Sequence, residues 1–468
     1  MAQLHDLTAL EQGAAVRAGE VTALELVEHY AARIERLDGE LGAFVTLTVD
    51  AAREQARRPL PAGPLAGVPT GIKDLNLTSG VPTGFGSRAM QGFVPAVDDH
   101  VVEKLRDAGL ISLGKTATPE FGLPCYTETA VGPPTRNPWD LSLSAGGSSG
   151  GAGAAVAAGL LPVAQGSDGG GSLRIPGSVN GLVGLKVSRG RISRGPVNGD
   201  ITGLAWDGPL GRTVRDAAAM LDVLAGPMPG DPHWAPPPEQ SFLSACSRPP
   251  GRLRVGRTRT PVVEGAVVHP HVVEAYDAAS GLLAELGHEV TDIDPPYGPE
   301  LVPSFEVLWS VSAAGVPVAA EREGELLPLT RWLRERGRAL SARQFTAAVA
   351  AVQSATRAGI RATSAYDVLL LPTLAQPPAP IGWFSAAGDG SDPAAEFARM
   401  KQWTPFTALF NATGQPAVSL PLHLSPAGLP IGVMLVGRPA DEVTLLSLSA
   451  QLEAARPWAD RHPPAWTS

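Results

Sequence analysis

Cysteine is nearly missing from this chain: Cys125 and Cys246 are the only two in 468 residues. That excludes a disulfide-dense scaffold and a cysteine-based zinc site, and it suits a reducing cytoplasm. Basic excess is missing too. Lys+Arg is 37 against 46 for Asp+Glu, a net charge of −9, so neither nucleic acid nor an anionic membrane is an expected partner. No apolar run is long enough to span a bilayer. The longest, residues 151–166, is rich in Gly and Ala and reads as a small-residue helix followed by a strand. Asp6, Glu11 and Glu20 stand where a secretory signal needs an apolar stretch, so none is expected. The nine histidines show no H-E-x-x-H spacing, and no metal is expected.

What is present describes an ordinary globular chain, 44% apolar and 18% charged. The 53 glycines and 45 prolines are dispersed, which predicts many turns. Residues 4–57 carry helical spacing, and Thr22 with Glu25 three residues on resembles a capping box. A short strand is predicted to end at Lys73-Asp74. A helix over 99–108 leads to a buried strand at 110–113. A helix over 152–159 leads to a strand at 160–164 and a loop at 166–171. Helical pattern returns from Arg212, residues 227–250 form a Pro-rich surface excursion, and strands are predicted at 254–257, 289–293 and 366–371. Such alternation implies an α/β fold with a mostly parallel sheet. No internal repeat and no linker divides it, so residues 1–468 read as one domain.

Three short motifs compete for attention. Gly109-Leu-Ile-Ser-Leu-Gly114-Lys115-Thr116 is a literal match to the phosphate-binding P-loop pattern. A working P-loop is a flexible turn after a strand; here the intervening residues are bulky and the preceding segment reads as helix. Gly146-Gly147-Ser148-Ser149-Gly150 matches the nucleophile elbow, but the preceding Asn137-Pro-Trp-Asp-Leu-Ser-Leu-Ser144 is a poor strand, and neither His288 nor His423 sits in a catalytic pattern. Ser112-Leu-Gly-Lys115 matches S-x-x-K without companion motifs. Each reads better as structure than as chemistry.

A fourth signal has three ordered parts: Leu65-Ala-Gly-Val-Pro-Thr-Gly-Ile-Lys73-Asp74, then Ser144-Ala-Gly-Gly-Ser148-Ser149-Gly-Gly, then Gly166-Ser-Asp168-Gly169-Gly170-Gly171-Ser172-Leu-Arg174-Ile-Pro176. Together these resemble the amidase signature family. The resemblance extends through Gly114-Lys-Thr-Ala-Thr-Pro-Glu-Phe-Gly122, Thr135-Arg-Asn-Pro-Trp139 and Gly181-Leu-Val-Gly-Leu-Lys186. It resumes at residues 366–381 and 406–414 and is weakest over 230–340. It implies a mixed, mostly parallel sheet flanked by helices on both faces, and an amidohydrolase with no metal, nucleotide or organic cofactor.

The resemblance also implies roles. Ser172 is the nucleophile, Ser148 a bridging serine preceded by a cis peptide, and Lys73 the base. A serine hydroxyl needs a base to take its proton, and a lysine can be that base only when neutral, its pKa lowered by burial or by cationic neighbours. Lys73 is one of five lysines in an Arg-rich chain. The N–H groups of Gly169, Gly170, Gly171 and Ser172 are expected to form an oxyanion hole; the family often has a larger residue where Gly169 stands. Ser149, Asp168 and Arg174 are expected to hold the loops by hydrogen bonds. Cys125 and Tyr126 are candidate pocket residues, and Phe305, Trp309, Trp332, Trp383, Phe384 and Trp403 offer bulk to shape a pocket.

The expected partner is a small-molecule amide, with a homodimer compatible with the sequence. Esters and carbamates suit the same acylation chemistry. The glutaminase subunit of a tRNA amidotransferase is a related role, but that subgroup commonly has Gln directly after the matching arginine, where this chain has Ile175.

Overall fold

The computed structural model describes residues 3–199, 201–385 and 392–467. Its centre is an eight-stranded sheet in the order Glu289–Asp292, Arg254–Arg257, Val368–Pro372, Pro430–Gly437, Ala417–Leu424, Val183–Lys186, Trp206–Gly211, Val163–Asp168. The two ladders of the Arg254–Arg257 strand are parallel, and the other five are antiparallel. The sheet is thus mixed, as expected, but not mostly parallel. Parallel neighbours need a crossover. Here the Ala417–Leu424 and Pro430–Gly437 strands form a hairpin, and Val183–Lys186 runs to Trp206–Gly211 without an intervening helix.

Alternation along the strands places apolar residues on both faces. Val368, Leu370, Val433 and Leu435 share one core with the helices Val214–Leu224, Pro270–Glu285 and Glu442–Ala455. Leu369, Leu371, Met434 and Val436 share another with the helices Leu301–Gly315, Ala342–Ala362 and Ala408–Thr413. Helices therefore cover both faces.

A second sheet of three strands, in the order Phe44–Leu47, Ile111–Thr116, Pro69–Lys73, lies against the Val163–Asp168 edge. Thr70 Oγ1 donates to the Val163 carbonyl at 3.1 Å, and the Lys73 amide donates to Gln165 Oε1 at 2.9 Å. The Thr22–Glu25 capping box is present at the start of the Ala23–Leu41 helix. Residues 4–57 are not continuously helical, because Phe44–Leu47 pairs antiparallel with Ile111–Thr116. The Gly150–Ala157 helix is buried at all eight positions. Only Val156 in it is larger than Ala, which lets it sit deep in the interior and fix the loop that precedes it. Among the described residues no helix is long and apolar enough to cross a membrane.

Candidate active site

Three segments meet where the two sheets join. Pro69–Lys73 is buried throughout and ends on Lys73, whose side chain is fully enclosed. Its Nζ donates to Ser148 Oγ at 2.7 Å, to Ser167 Oγ at 3.1 Å and to the Ser167 carbonyl at 3.3 Å. Burial pulls the ammonium pKa down from 10.5 to about 7. Asp207 and Asp168 act in the opposite direction, and Arg194 adds to the lowering. Low basicity alone does not single Lys73 out. Burial also lowers Lys186 to about 7 and Lys115 to about 8. Lys186 donates to the carbonyls of Val187 and Gln415. Lys115 donates to the Asn76 carbonyl and to Thr83 Oγ1. Neither of those two donates to a serine. The Ile111–Thr116 strand that carries Lys115 is a ladder member, so the P-loop match has no phosphate cradle, and Ser112 lies in the same strand.

Ser148 stands in the turn before the Gly150–Ala157 helix, and the Gly147–Ser148 peptide is cis. Gly147 is required by close approach: a Cβ there would lie 2.7 Å from the Tyr126 backbone. Ser149 links the turn to the next strand. Its Oγ donates to the Ser167 carbonyl at 3.1 Å and accepts from the Ser167 amide at 3.2 Å. Its amide donates to the Ser172 carbonyl at 3.2 Å, so the Ser148 turn is bonded to the Ser172 loop.

Asp168 organises that loop. It is fully buried and accepts from the amides of Gly171 at 2.8 Å and Leu173 at 3.1 Å. Arg174 meets it through Nε at 3.0 Å and Nη2 at 2.8 Å, and Asn411 Nδ2 adds a bond at 2.9 Å. Burial pushes the carboxyl up, but Arg174 and these donors outweigh it and hold Asp168 well below the usual carboxylate range. Arg174 also donates to the Thr407 carbonyl and to Asn411 Oδ1, tying the loop to the 407–411 segment. Ser149, Asp168 and Arg174 thus tie these loops together by hydrogen bonds. Asp168→Ala should cost about 3–5 kcal/mol of stability, because it leaves a buried guanidinium without its counter-charge; urea unfolding measures this.

Two sequence expectations need correction. The Gly171 amide is engaged by Asp168 and is not free to meet an oxyanion, which leaves Gly169, Gly170 and Ser172 as candidate donors. Gly171 is needed for another reason: its φ is +132°, and a Cβ would lie 2.4 Å from Thr407 Oγ1. Tyr126 does not line the cavity beside Ser172. Its ring stacks on Phe384 at 4.6 Å and its hydroxyl is held by Glu396, so it is wall behind wall.

Ser172 opens onto a cavity lined mostly by apolar groups, including Leu123, Cys125, Ile175, Phe305, Trp309 and Met400, with the paired Glu306 and Lys401 also in its wall. Phe305 and Trp309 stack at 5.6 Å. Phe384 and Trp403 are core residues behind the wall, Trp332 packs on Phe397, and Trp383 is partly exposed. Burial pushes the Cys125 thiol well above its ordinary value, and Glu396 adds to this, so it is an inert part of the wall. Ser148 opens instead onto a second cavity, with Asn76, Ser167, Gly169, Arg194 and Asp207 in its lining. Sequence reasoning missed Ser167, Gln165, Asn76, Arg194 and Asp207. Gln165 and Ser167 sit two apart on one strand and both reach Lys73. Gln165 Nε2 extends the network to Asn76 Oδ1 at 3.0 Å and Asp207 Oδ1 at 2.8 Å. Among the described residues no group of three His, Cys, Asp or Glu side chains could hold a metal ion.

Comparison with known proteins identifies the family. The Amidase family model matches residues 25–446. A 6-aminohexanoate-cyclic-dimer hydrolase of Paenarthrobacter ureafaciens is 39% identical over 479 residues, covering 97% of this chain and 96% of its own. A substrate complex of a 6-aminohexanoate cyclic dimer hydrolase superposes with a TM-score of 0.93 at 35% identity, over 99% of this chain and all of that one. A bacterial aryl acylamidase of the amidase signature family superposes with a TM-score of 0.89 at 28% identity, over the full length of both. The chain belongs to the amidase signature family and is an amidohydrolase acting on carbon–nitrogen bonds.

Proposed function

We propose that the chain hydrolyses a small-molecule amide through an acyl-enzyme on Ser172, with Ser148 and Lys73 as a proton relay. The observation that carries this reading is the 2.7 Å bond from a buried, weakly basic Lys73 Nζ to Ser148 Oγ. Neutral Lys73 takes the Ser148 proton as Ser148 takes that of Ser172. Ser172 Oγ then attacks the amide carbonyl. The amides of Gly169, Gly170 and Ser172 are the donors available to the developing oxyanion. Collapse breaks the C–N bond as Ser148 returns a proton to the departing nitrogen and Lys73 reprotonates Ser148. Water enters by the same relay and releases the acid, which restores neutral Lys73 and both serine hydroxyls. Each proton taken in one step is returned in the next, so neither an outside acid nor an outside base is consumed.

The pH dependence tests the base. Lys73 must be neutral to act, so kcat/KM should rise with pH through an apparent ionisation near 7 and then level off. A profile that falls across that range would sink the neutral-lysine relay. The relatives' substrates suggest a starting panel of cyclic lactam dimers and aryl amides, read by mass spectrometry of the released acid and amine.

A further inference from the structure

A Ser172–Ser148–Lys73 relay gives the two cavities different tasks. The leaving nitrogen must be protonated from Ser148, so the amine half of the substrate lies on the Ser148 side. The acyl half, bonded to Ser172, lies in the other cavity. Leu123 and Trp309 line both and form the neck between them. The acyl chamber is apolar apart from Glu306 and Lys401, which pair with each other, and suits an aliphatic or aryl acyl group. The amine chamber differs, because Arg194 is in its wall. Among the described residues, Nε and Nη1 of Arg194 are buried and have no hydrogen-bond partner. Buried donors without acceptors are costly, and a fork of donors matches a carboxylate.

Two acids lie near enough to feel Arg194, and neither cancels it. Burial raises Asp207, whose Oδ1 is already held by Gln165 at 2.8 Å. Burial raises Asp99 to about 7, and its Oδ2 accepts from Asn76, the Leu77 amide and Asn198. Neither is bonded to Arg194: Asp207 Oδ1 is taken by Gln165, and Asp99 Oδ1 is buried without a hydrogen-bond partner.

We propose that Arg194 recognises a carboxylate on the amine half, so that the preferred substrates are N-acyl amino acids with an apolar acyl group. The reaction is RCONH–R′–COO⁻ plus water to RCOO⁻ and ⁺H₃N–R′–COO⁻. This specificity rests on the Ser172–Ser148–Lys73 reading.

The test uses the full chain and hexanoyl amides of glycine, β-alanine and 4-aminobutyrate, each against the hexanoyl amide of a neutral alkylamine of the same length. In the native protein the best carboxylate substrate should exceed its neutral match by about tenfold or more in kcat/KM. Arg194→Gln should bring that ratio to about one, chiefly through KM, and Arg194→Lys should keep part of it. Because Arg194 is partly buried, a second variant guards against misfolding. Ser312→Asp, from a different wall of the same chamber, should also lower the ratio by adding a repelling charge. A native ratio near one, or equal loss on both substrates in Arg194→Gln, would overturn the proposal. A fluorophosphonate label on Ser172 in the same preparation separates that outcome from failure of the acyl-enzyme reading. Turnover without Ser172 labelling overturns both.

Discussion

Ser172→Ala should lose about 10⁴-fold or more of amide turnover, with an unfolding midpoint close to that of the native protein. The expected effect is large because the nucleophile has no substitute: the next hydroxyl, Ser148, is already bonded to Lys73. The fold should survive because what Ser172 gives the loop is its backbone carbonyl, which accepts from the Ser149 amide at 3.2 Å and is unchanged in alanine. Glycine loops on both sides and the Asp168–Arg174 pair stay in place. Fluorophosphonate should label Ser172 in the native chain and nothing in the variant. A label on Ser148 would instead revive the nucleophile-elbow motif, in which Ser148 is the central serine. The variant retains both cavities, so it should still bind amide substrate, and calorimetry on it would separate binding from chemistry. Retained turnover in a preparation free of native enzyme would end the assignment.

Much of this site was legible because its residues fall in three local motifs, each with chemistry of its own. Lys73, Ser148 and Ser172 could be put forward from the family resemblance those motifs carry, and so could loop-holding hydrogen bonds at Ser149, Asp168 and Arg174. What was missed depends on strand limits and on distant partners. The segment at Gly166–Asp168 looks like the start of a glycine loop, yet the ladder with Trp206–Gly211 carries the strand on to Asp168. Had the strand been extended that far, period-two alternation would have put Gln165 and Ser167 on the face toward Lys73. Asp207 was hidden because its strand holds Gly208, Pro209 and Gly211, which argue against a central strand. Arg194 and Asn76 are 118 positions apart, and no local pattern announces that they share a cavity. The sheet direction failed for a similar reason. Counting strands and helices suggests parallel crossovers, while the connection from Val183–Lys186 to Trp206–Gly211 is a loop. Gly171 shows the limit at a finer scale: its presence was readable, but whether its amide faces an oxyanion or Asp168 depends on the folded loop.

Lys73→Ala should lose most activity on amides and esters, with the larger loss on the amide. An amine must be protonated before it departs, and the path from Lys73 through Ser148 is what supplies that proton. A phenoxide leaves readily and needs less help. The native protein should therefore show a modest preference between a matched amide and ester, and the variant a much stronger bias toward the ester, about 10²-fold or more in the ratio of kcat/KM. The rise with pH near 7 should vanish with the lysine. Stability provides a second readout through Lys73→Met, which keeps the volume. The folded pKa of Lys73 is depressed from 10.5 to about 7, so between those values the unfolded chain binds more protons. Native stability should rise with pH across that window as the desolvation penalty on the ammonium fades. Methionine carries no such penalty. The variant should be as stable as the native protein or more so below pH 7, and its advantage should shrink toward pH 10.5. Its loss of the bonds to Ser148 and Ser167 works against that gain. Equal fractional losses on amide and ester would remove the leaving-group role, and near-native amide turnover by Lys73→Ala would remove the relay altogether.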